Sequence, residues 1–240
     1  MKALIPAAGH GTRFAPVTRV VPKEMLPIGS RPALEFIVEE AKSAGADDIT
    51  IIISPGKELI REYFKDDKSV KFIYQLEQKG LGHAVLQAAE SLKDTREPVL
   101  VMLGDALISG CNAAASMAEI SRRNGNASVI GLETVPAERV SRYGIVKLDG
   151  ERIVDMVEKP SPQAAPSRLA VAGRYLLDAS IFGYLADQGA GVGGEIQLTD
   201  AIKRMLADKP VFGYVYPGRR HDIGNPQGYF KALEAMNENR

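Results

Sequence analysis

The chain predicts an α/β fold, and three observations carry that reading. Four short apolar runs in the first half, at residues 2–6, 49–54, 70–74 and 99–103, are rich in β-branched or aromatic side chains and read as buried parallel strands. Helical patterns separate them, so the order is a βαβ series. The 240 residues, 45% of them hydrophobic, suffice to bury one sizeable core. Right-handed crossovers would close such a series into a doubly wound, Rossmann-like three-layer sandwich with a mainly parallel sheet, whose ligands lie beyond the carboxyl ends of the strands. One domain over residues 1–240 is the expectation.

Each element has its own warrant. The run 2–6 enters a glycine-rich loop directly. Residues 32–44 place Leu34, Ile37, Val38 and Ala41 at helical spacing, and Gly45 then stops the helix. Residues 57–64 and 82–92 have similar character. After Ala127 the pattern changes: runs at 143–148 and 152–159 flank Asp149 and Gly150, a pair suited to a two-residue type I′ turn, which predicts a small β-hairpin insertion. A strand at 169–177, a helix from about Ala179, a glycine-rich loop at 189–194, a segment at 199–207, a strand at 211–217 and a helix from Pro226 complete the order. The sequence contains no repeat, low-complexity tract or credible linker.

Composition narrows the function classes. Thirty basic residues balance thirty acidic ones, so no global field draws the chain to nucleic acid or an anionic membrane, and any anion binding is local. The single cysteine, Cys111, excludes an internal disulfide framework or a cysteine zinc site and fits a reducing compartment. The apolar run in residues 1–14 is too short for a secretory signal, and no later segment is long and apolar enough to span a bilayer, so a cytoplasmic protein is expected.

Chemistry starts at the first loop, Ala7-Ala8-Gly9-His10-Gly11-Thr12-Arg13, followed by Pro22-Lys23-Glu24-Met25-Leu26-Pro27. Glycines after a strand let backbone N–H groups cradle phosphates, and Arg13 and Lys23 add positive charge. The loop is neither a P-loop nor a complete dinucleotide fingerprint, because no Gly-Lys-Ser/Thr ends it and Phe14 or Ala15 stands where the last glycine would fall. The bland alternative is a tight turn with solvated charges. Gln75 follows the third strand, and an amide that both donates and accepts suits N3–H and O4 of uracil or thymine. His83, at a helix start, reads as scaffold. The strand 99–103 ends in Gly104-Asp105, a strand-end carboxylate suited to magnesium, although such an aspartate also caps turns. Lys159 is a point charge for a phosphate, and Glu158 an acceptor for sugar hydroxyls. No convincing Ser/His/Asp or Cys/His constellation is present.

Together these motifs resemble the sugar-phosphate nucleotidylyltransferases, most closely the bacterial UTP:glucose-1-phosphate uridylyltransferase branch. The resemblance rests on Gly-x-Gly-Thr-Arg with Pro-Lys-Glu-Met-Leu-Pro about ten residues on, Gln75 before Lys79-Gly80-Leu81-Gly82, Gly104-Asp105, Tyr143-Gly144, Glu158-Lys159-Pro160, Ala172-Gly173-Arg174-Tyr175, 193–200 (GGEIQLTD) and His221-Asp222-Ile223-Gly224. It covers nearly the whole chain and implies the nucleotide-diphospho-sugar transferase fold. It also implies UTP and glucose 1-phosphate as substrates and Mg²⁺ as cofactor. By resemblance Arg13 and Lys23 are catalytic; Ala8, Gly9, Gly11, Thr12, Gln75, Gly80 and Gly104 bind the nucleotide; Gly144, Glu158, Lys159, Gly173 and Glu195 bind the sugar phosphate; and Asp105 and Asp222 hold the metal.

Two departures matter. Only Lys65-Asp66-Asp67-Lys68 precedes the third strand, where this branch usually carries a longer insertion, and the extension after the last helix is short. A homo-oligomer, dimer or tetramer, is therefore only weakly implied. Gly104 also resembles the wider superfamily, so dTTP is the rival substrate. A catalytically silent nucleotide-sugar binder is the rival from another class, and a nicotinamide dehydrogenase a distant third.

Overall fold

The structure is a computed structural model that describes residues 1–237. Strand β1 (Lys2–Pro6) runs through the glycine loop and three short 3₁₀ turns to a hook of two short strands, β2 (Pro27–Ile28) and β3 (Arg31–Pro32). Helix α1 (Ala33–Ser43) follows; it buries Leu34, Ile37, Val38 and Ala41 at the predicted spacing and ends before Gly45, whose φ of +94° is the left-handed conformation glycine adopts without penalty. Next come β4 (Asp48–Ile53), α2 (Glu58–Tyr63), β5 (Val70–Tyr74), α3 (Leu81–Leu86), β6 (Val99–Met102) and β7 (Ala106–Ser109). Helix α4 (Ala113–Arg123) precedes β8 (Ser128–Thr134), β9 (Gly144–Asp149), β10 (Arg152–Glu158) and β11 (Leu169–Leu177). The chain then passes through α5 (Ile181–Ala186), α6 (Leu198–Met205), β12 (Val211–Val215), β13 (Arg219–Asp222) and α7 (Pro226–Asn237).

Nine strands form one sheet in the order β5-β4-β1-β6-β11-β8-β12-β10-β9. It is sandwiched as predicted. One face is covered by α1, α2, α4 and α7 over a core that includes Leu34, Ile37, Ile51 and Met117, and the other by α3, α5 and α6 over Leu4, Val85, Leu185 and Ile202. The predicted mainly parallel pairing is corrected, because the sheet is mixed: β1, β4, β5 and β6 pair in parallel, as do β8 and β12, but β11 lies antiparallel between β6 and β8. Its near-continuous apolar sequence gives no sign of direction, since a strand buried on both faces reads alike either way.

The hairpin of β9 and β10 is also placed differently from a small insertion. It turns on Gly150 and Glu151, one residue later than expected, with Arg152 opposite Asp149 and Gly150 at φ +58°. Its strands continue the main sheet, and β9 pairs in addition with the start of β11. Strands β11, β8, β12, β10 and β9 therefore close into a ring, while β6 takes the other half of the same flank of β11. Among the described residues no helix is long and apolar enough to cross a membrane.

Candidate active site

The loops that leave β1, β4, β5 and β6 all open at the carboxyl end of the sheet, and between them lies a cleft of about 320 Å³. Ala8, Gly9, Lys23, Gln75, Gly80, Asp105 and Glu195 line it, so seven of the expected site residues meet there although 187 positions of sequence separate the outermost two. Pro6, Ala7, Glu24, Gln78, Leu81, Ala84 and Leu103 complete the wall.

Lys23 and Asp105 form the centre. The Lys23 ammonium donates to Asp105 Oδ2 across a half-buried ion pair. Burial alone would raise the Asp105 carboxyl, but Lys23, assisted by Arg220, holds it below the usual carboxylate range. Burial likewise opposes the charge on Lys23, yet Asp105 and then Glu24 raise it above the ordinary lysine value. Both groups are thus charged at neutral pH.

Asp222 reaches the same place by strand pairing. β13 lies antiparallel on β7, with Asp222 opposite Ala106, and Ile223 N–H donates to the Asp105 carbonyl at 2.9 Å. A Cβ built on Gly224 would stand 2.9 Å from both Asp105 Oδ2 and Asp222 Oδ1, so the two carboxylates converge on one point that glycine leaves open. Asp222 is oriented there by Gly224 N–H at 2.9 Å and by the Asn225 side-chain amide. Two converging carboxylates suit a magnesium ion, which takes few protein ligands, whereas no group of three or more acidic, histidine or cysteine side chains at metal-binding spacing occurs among the described residues.

Gln75 also lines the cleft and is 3% exposed. Its Nε2 donates to the Gly80 carbonyl at 3.3 Å and contacts His83 Nδ1 at 3.0 Å, which fixes the amide's orientation, because the atom facing a carbonyl must be the NH₂. The expected double role is thereby narrowed. Oε1 accepts no hydrogen bond among the described residues and is the atom left for a ligand. His83 is a positioning group for Gln75, and its own carbonyl accepts from Gln87 Nε2 at 3.1 Å.

The remaining expected residues surround this cleft. Gly11, at φ +66°, and Thr12 form the bend of the first loop, and Thr18 Oγ1 donates to the Gly11 carbonyl at 2.9 Å. Gly104 is buried beneath the cleft, where its N–H donates to the Pro6 carbonyl at 3.1 Å and its missing side chain lets the strand lie against Ala7. Glu158 accepts from Thr199 Oγ1 at 2.6 Å, lies 3.5 Å from Lys159 and abuts Gly144. Gly173 is a left-handed break in β11 that packs on Leu103, whose N–H it accepts at 2.9 Å. Arg13 and Lys159 do not line the cleft; with Asp222 they face a neighbouring, larger basin.

Two buried ion pairs were not anticipated from the sequence. Glu24, 1% exposed, receives Lys57 Nζ on both carboxylate oxygens at 2.9 and 2.8 Å, and the same ammonium also donates to the Ala7 carbonyl. It ties the Lys23 turn to the first glycine loop. Arg174, 0% exposed, forks onto Glu40 of α1 and donates to the Ala106 carbonyl at 2.7 Å, immediately after Asp105. The sequence held a signal for the first pair: Glu24 sits among apolar and proline residues directly after Lys23.

Comparison with known proteins follows the same lines. The family model described as nucleotidyl transferase matches residues 2–239. A UTP–glucose-1-phosphate uridylyltransferase 2 of Staphylococcus saprophyticus is 40% identical, over 96% of this chain and 89% of the relative. One from Bacillus subtilis is 41% identical, over 96% and 87%. Both alignments, of 260 and 262 residues, exceed the 240 of this chain, so the relatives carry inserted residues. Among solved structures, a UDP-glucose pyrophosphorylase complexed with UDP-glucose superposes with a TM-score of 0.91 at 35% identity, covering 100% of this chain and 99% of that one. A UTP-bound enzyme of the same name from Acinetobacter baumannii gives 0.83 at 34%, covering 100% and 94%.

Proposed function

The chain belongs to the nucleotidyl transferase family, and from that premise we propose that it transfers the uridylyl group of UTP to glucose 1-phosphate, forming UDP-glucose and pyrophosphate. The observation that carries this reading is the convergence of Asp222 and Lys23 on Asp105, in the wall of a cleft that is also lined by the Gln75 amide. The names of the relatives, and the UTP and UDP-glucose in the similar structures, support UTP over dTTP.

A phosphate oxygen of glucose 1-phosphate attacks the α-phosphorus of UTP in line, and pyrophosphate leaves. The nucleophile is already ionised, so no general base is needed, and catalysis is positioning plus neutralisation of charge. Gln75 Oε1 accepts from N3–H of the base. Backbone amides of the loop at Ala8, Gly9, Gly11 and Thr12, backed by Gly80 and Gly104, admit the nucleotide closely. Arg13 holds the outer phosphates and Lys23 the reacting ones, for which Lys23 exchanges its present partner, Asp105. Asp105 and Asp222 would hold Mg²⁺, which when bound supplies charge neutralisation at the phosphoryl oxygens. Lys159 meets the incoming phosphate, while Glu158, Glu195, Gly144 and Gly173 receive the hexose. Residues 1–240 act as one catalytic domain in a cytoplasmic enzyme, and assembly into a dimer or tetramer belongs to the same reading, checked by light scattering.

The test is a screen of four nucleoside triphosphates against several hexose 1-phosphates with Mg²⁺, read by pyrophosphate release and product mass. UDP-glucose is the expected product. Release with dTTP alone, or with no pair, overturns the reading.

A further inference from the structure

Beside the cleft lies a larger basin, about 690 Å³ against about 320 Å³. Its charge is one-sided although the chain as a whole is balanced. Arg139, Arg142, Arg219, Arg220 and Lys231 line it together with Arg13 and Lys159. Against these stand two carboxylates. Glu133 is already engaged by Arg220 at 2.5 Å, and Asp222 is turned toward Asp105 and Gly224. Among the described residues Arg13, Arg139, Arg142, Arg219 and Lys231 have no carboxylate partner.

The backbone gathers these cations rather than spreading them. Arg139 and Arg142 are three apart in the 3₁₀ turn Ala137–Arg142, a spacing that eclipses their side chains, and buried Val140 pins the turn. Lys159 has φ +45°, a left-handed conformation rare outside glycine that is typical of strained functional positions. Helix α7 begins on the basin wall, where Gln227 and Lys231, four apart, share a face and the positive end of the helix dipole lies. Like charges held together in a concavity repel one another until an anion enters, and they concentrate anions there.

The walls also select the kind of anion. The Arg220 guanidinium covers one face of the Tyr143 ring, 4.8 Å from its centroid, and among the described residues no Phe or Trp lines the basin to stack on a base. Guanidinium forks bind phosphate oxygens bidentately. We propose that this basin is a second anion site that holds inorganic pyrophosphate outside the reacting position, with Asp222, which converges on Asp105 of the cleft, at the junction of the two. The identity of the anion rests on the transferase reading given above. The site therefore receives the leaving group and makes product inhibition partly independent of the nucleotide cleft.

Calorimetric titration of the full chain with inorganic pyrophosphate, and separately with UTP, tests this in metal-free buffer at matched ionic strength. The triple variant R139Q/R142Q/R219Q changes only exposed side chains. It is expected to weaken pyrophosphate binding by about tenfold or more, as befits several lost charge-assisted hydrogen bonds, and to leave UTP affinity within about twofold. Lys23→Ala is expected to do the reverse. Unchanged pyrophosphate binding in the triple variant, equal loss of both ligands, or no pyrophosphate binding by the wild type overturns the proposal. Failure of the transferase reading is separately visible: the binding difference persists while the wild type makes no UDP-glucose.

Discussion

Lys23 sits among carboxylates, paired with Asp105 and near Glu24 and Asp222, so removing it should leave Asp105 without its ammonium and the reacting phosphates without theirs. Lys23→Ala is expected to cut turnover by on the order of 10²-fold or more while the fold survives, measured by pyrophosphate release alongside circular dichroism. The pH sign follows from the same pair. Because the Asp105 carboxyl is depressed, its ionised form and the stability it contributes persist above the ordinary 3.8 and are lost only as pH falls through the still lower folded value. Lys23→Ala should move that acid limb upward, seen in activity and in acid unfolding; an unmoved limb would mean that Lys23 does not set it. At the base pocket, Gln75 presents an acceptor and has its donor occupied. Cytosine, with an acceptor at N3, should therefore be rejected, and kcat/KM for CTP is expected to be at least about 10²-fold below that for UTP, whereas the methyl of dTTP costs less.

At the scale of elements, the site is held by pieces that the sequence shows unequally. The strands 2–6 and 70–74, the strand 169–177 and the helix from Pro226 are legible because long apolar runs and proline starts are local signals. Helix α4 and strand β8 escape notice. The buried face of α4 is mostly alanine, with Met117 its one large apolar residue, although Asn112 caps the helix by accepting from Ala115 N–H at 2.8 Å. Gly131 breaks the apolar run of β8, where a side chain would crowd Arg174 and Met117 at 3.2–3.3 Å. The motifs of the site are legible, but the pairing of β13 on β7 that joins Asp222 to Asp105 is a long-range register no local pattern encodes. The supporting ion pairs give two predictions. Lys57→Met strands Glu24, whose carboxyl burial already pushes up against the pull of Lys57 and Lys23, and should destabilise the fold by about 3–5 kcal/mol in urea unfolding. Because a raised carboxyl makes the native state the better proton binder, that variant should lose further stability as pH rises through the Glu24 titration. Gly228→Ala would drive a Cβ to 1.8 Å from the Asp222 carbonyl; it should displace the start of α7 and lower both turnover and the thermal midpoint.

For the whole molecule, the cleft lies between loops of the parallel strands and segments carried by the second half of the chain, so ligand binding joins both. Lys79 accepts from Ile196 N–H at 2.7 Å, and Gly82 donates to the Ile196 carbonyl at 2.8 Å, which sets the nucleotide side directly against the 193–200 segment. UTP at roughly a hundred times its Kd should stabilise the native state by about 2.7 kcal/mol, read as a higher thermal midpoint, with no rise in a chain that does not bind it. The ring of five strands has a further consequence, for behaviour in a crowded solution. A sheet end normally exposes a row of unpaired amides and carbonyls onto which another chain can add a strand. Closure of β9 onto β11 covers that template at one end of the nine-stranded sheet, leaving β5 as the open margin at the opposite end: five residues long, with Lys71 exposed and charged residues 65–68 just before it. Strand addition to the nine-stranded sheet would therefore begin at this short, charged strand, and charge-removing changes there are where aggregation should first appear.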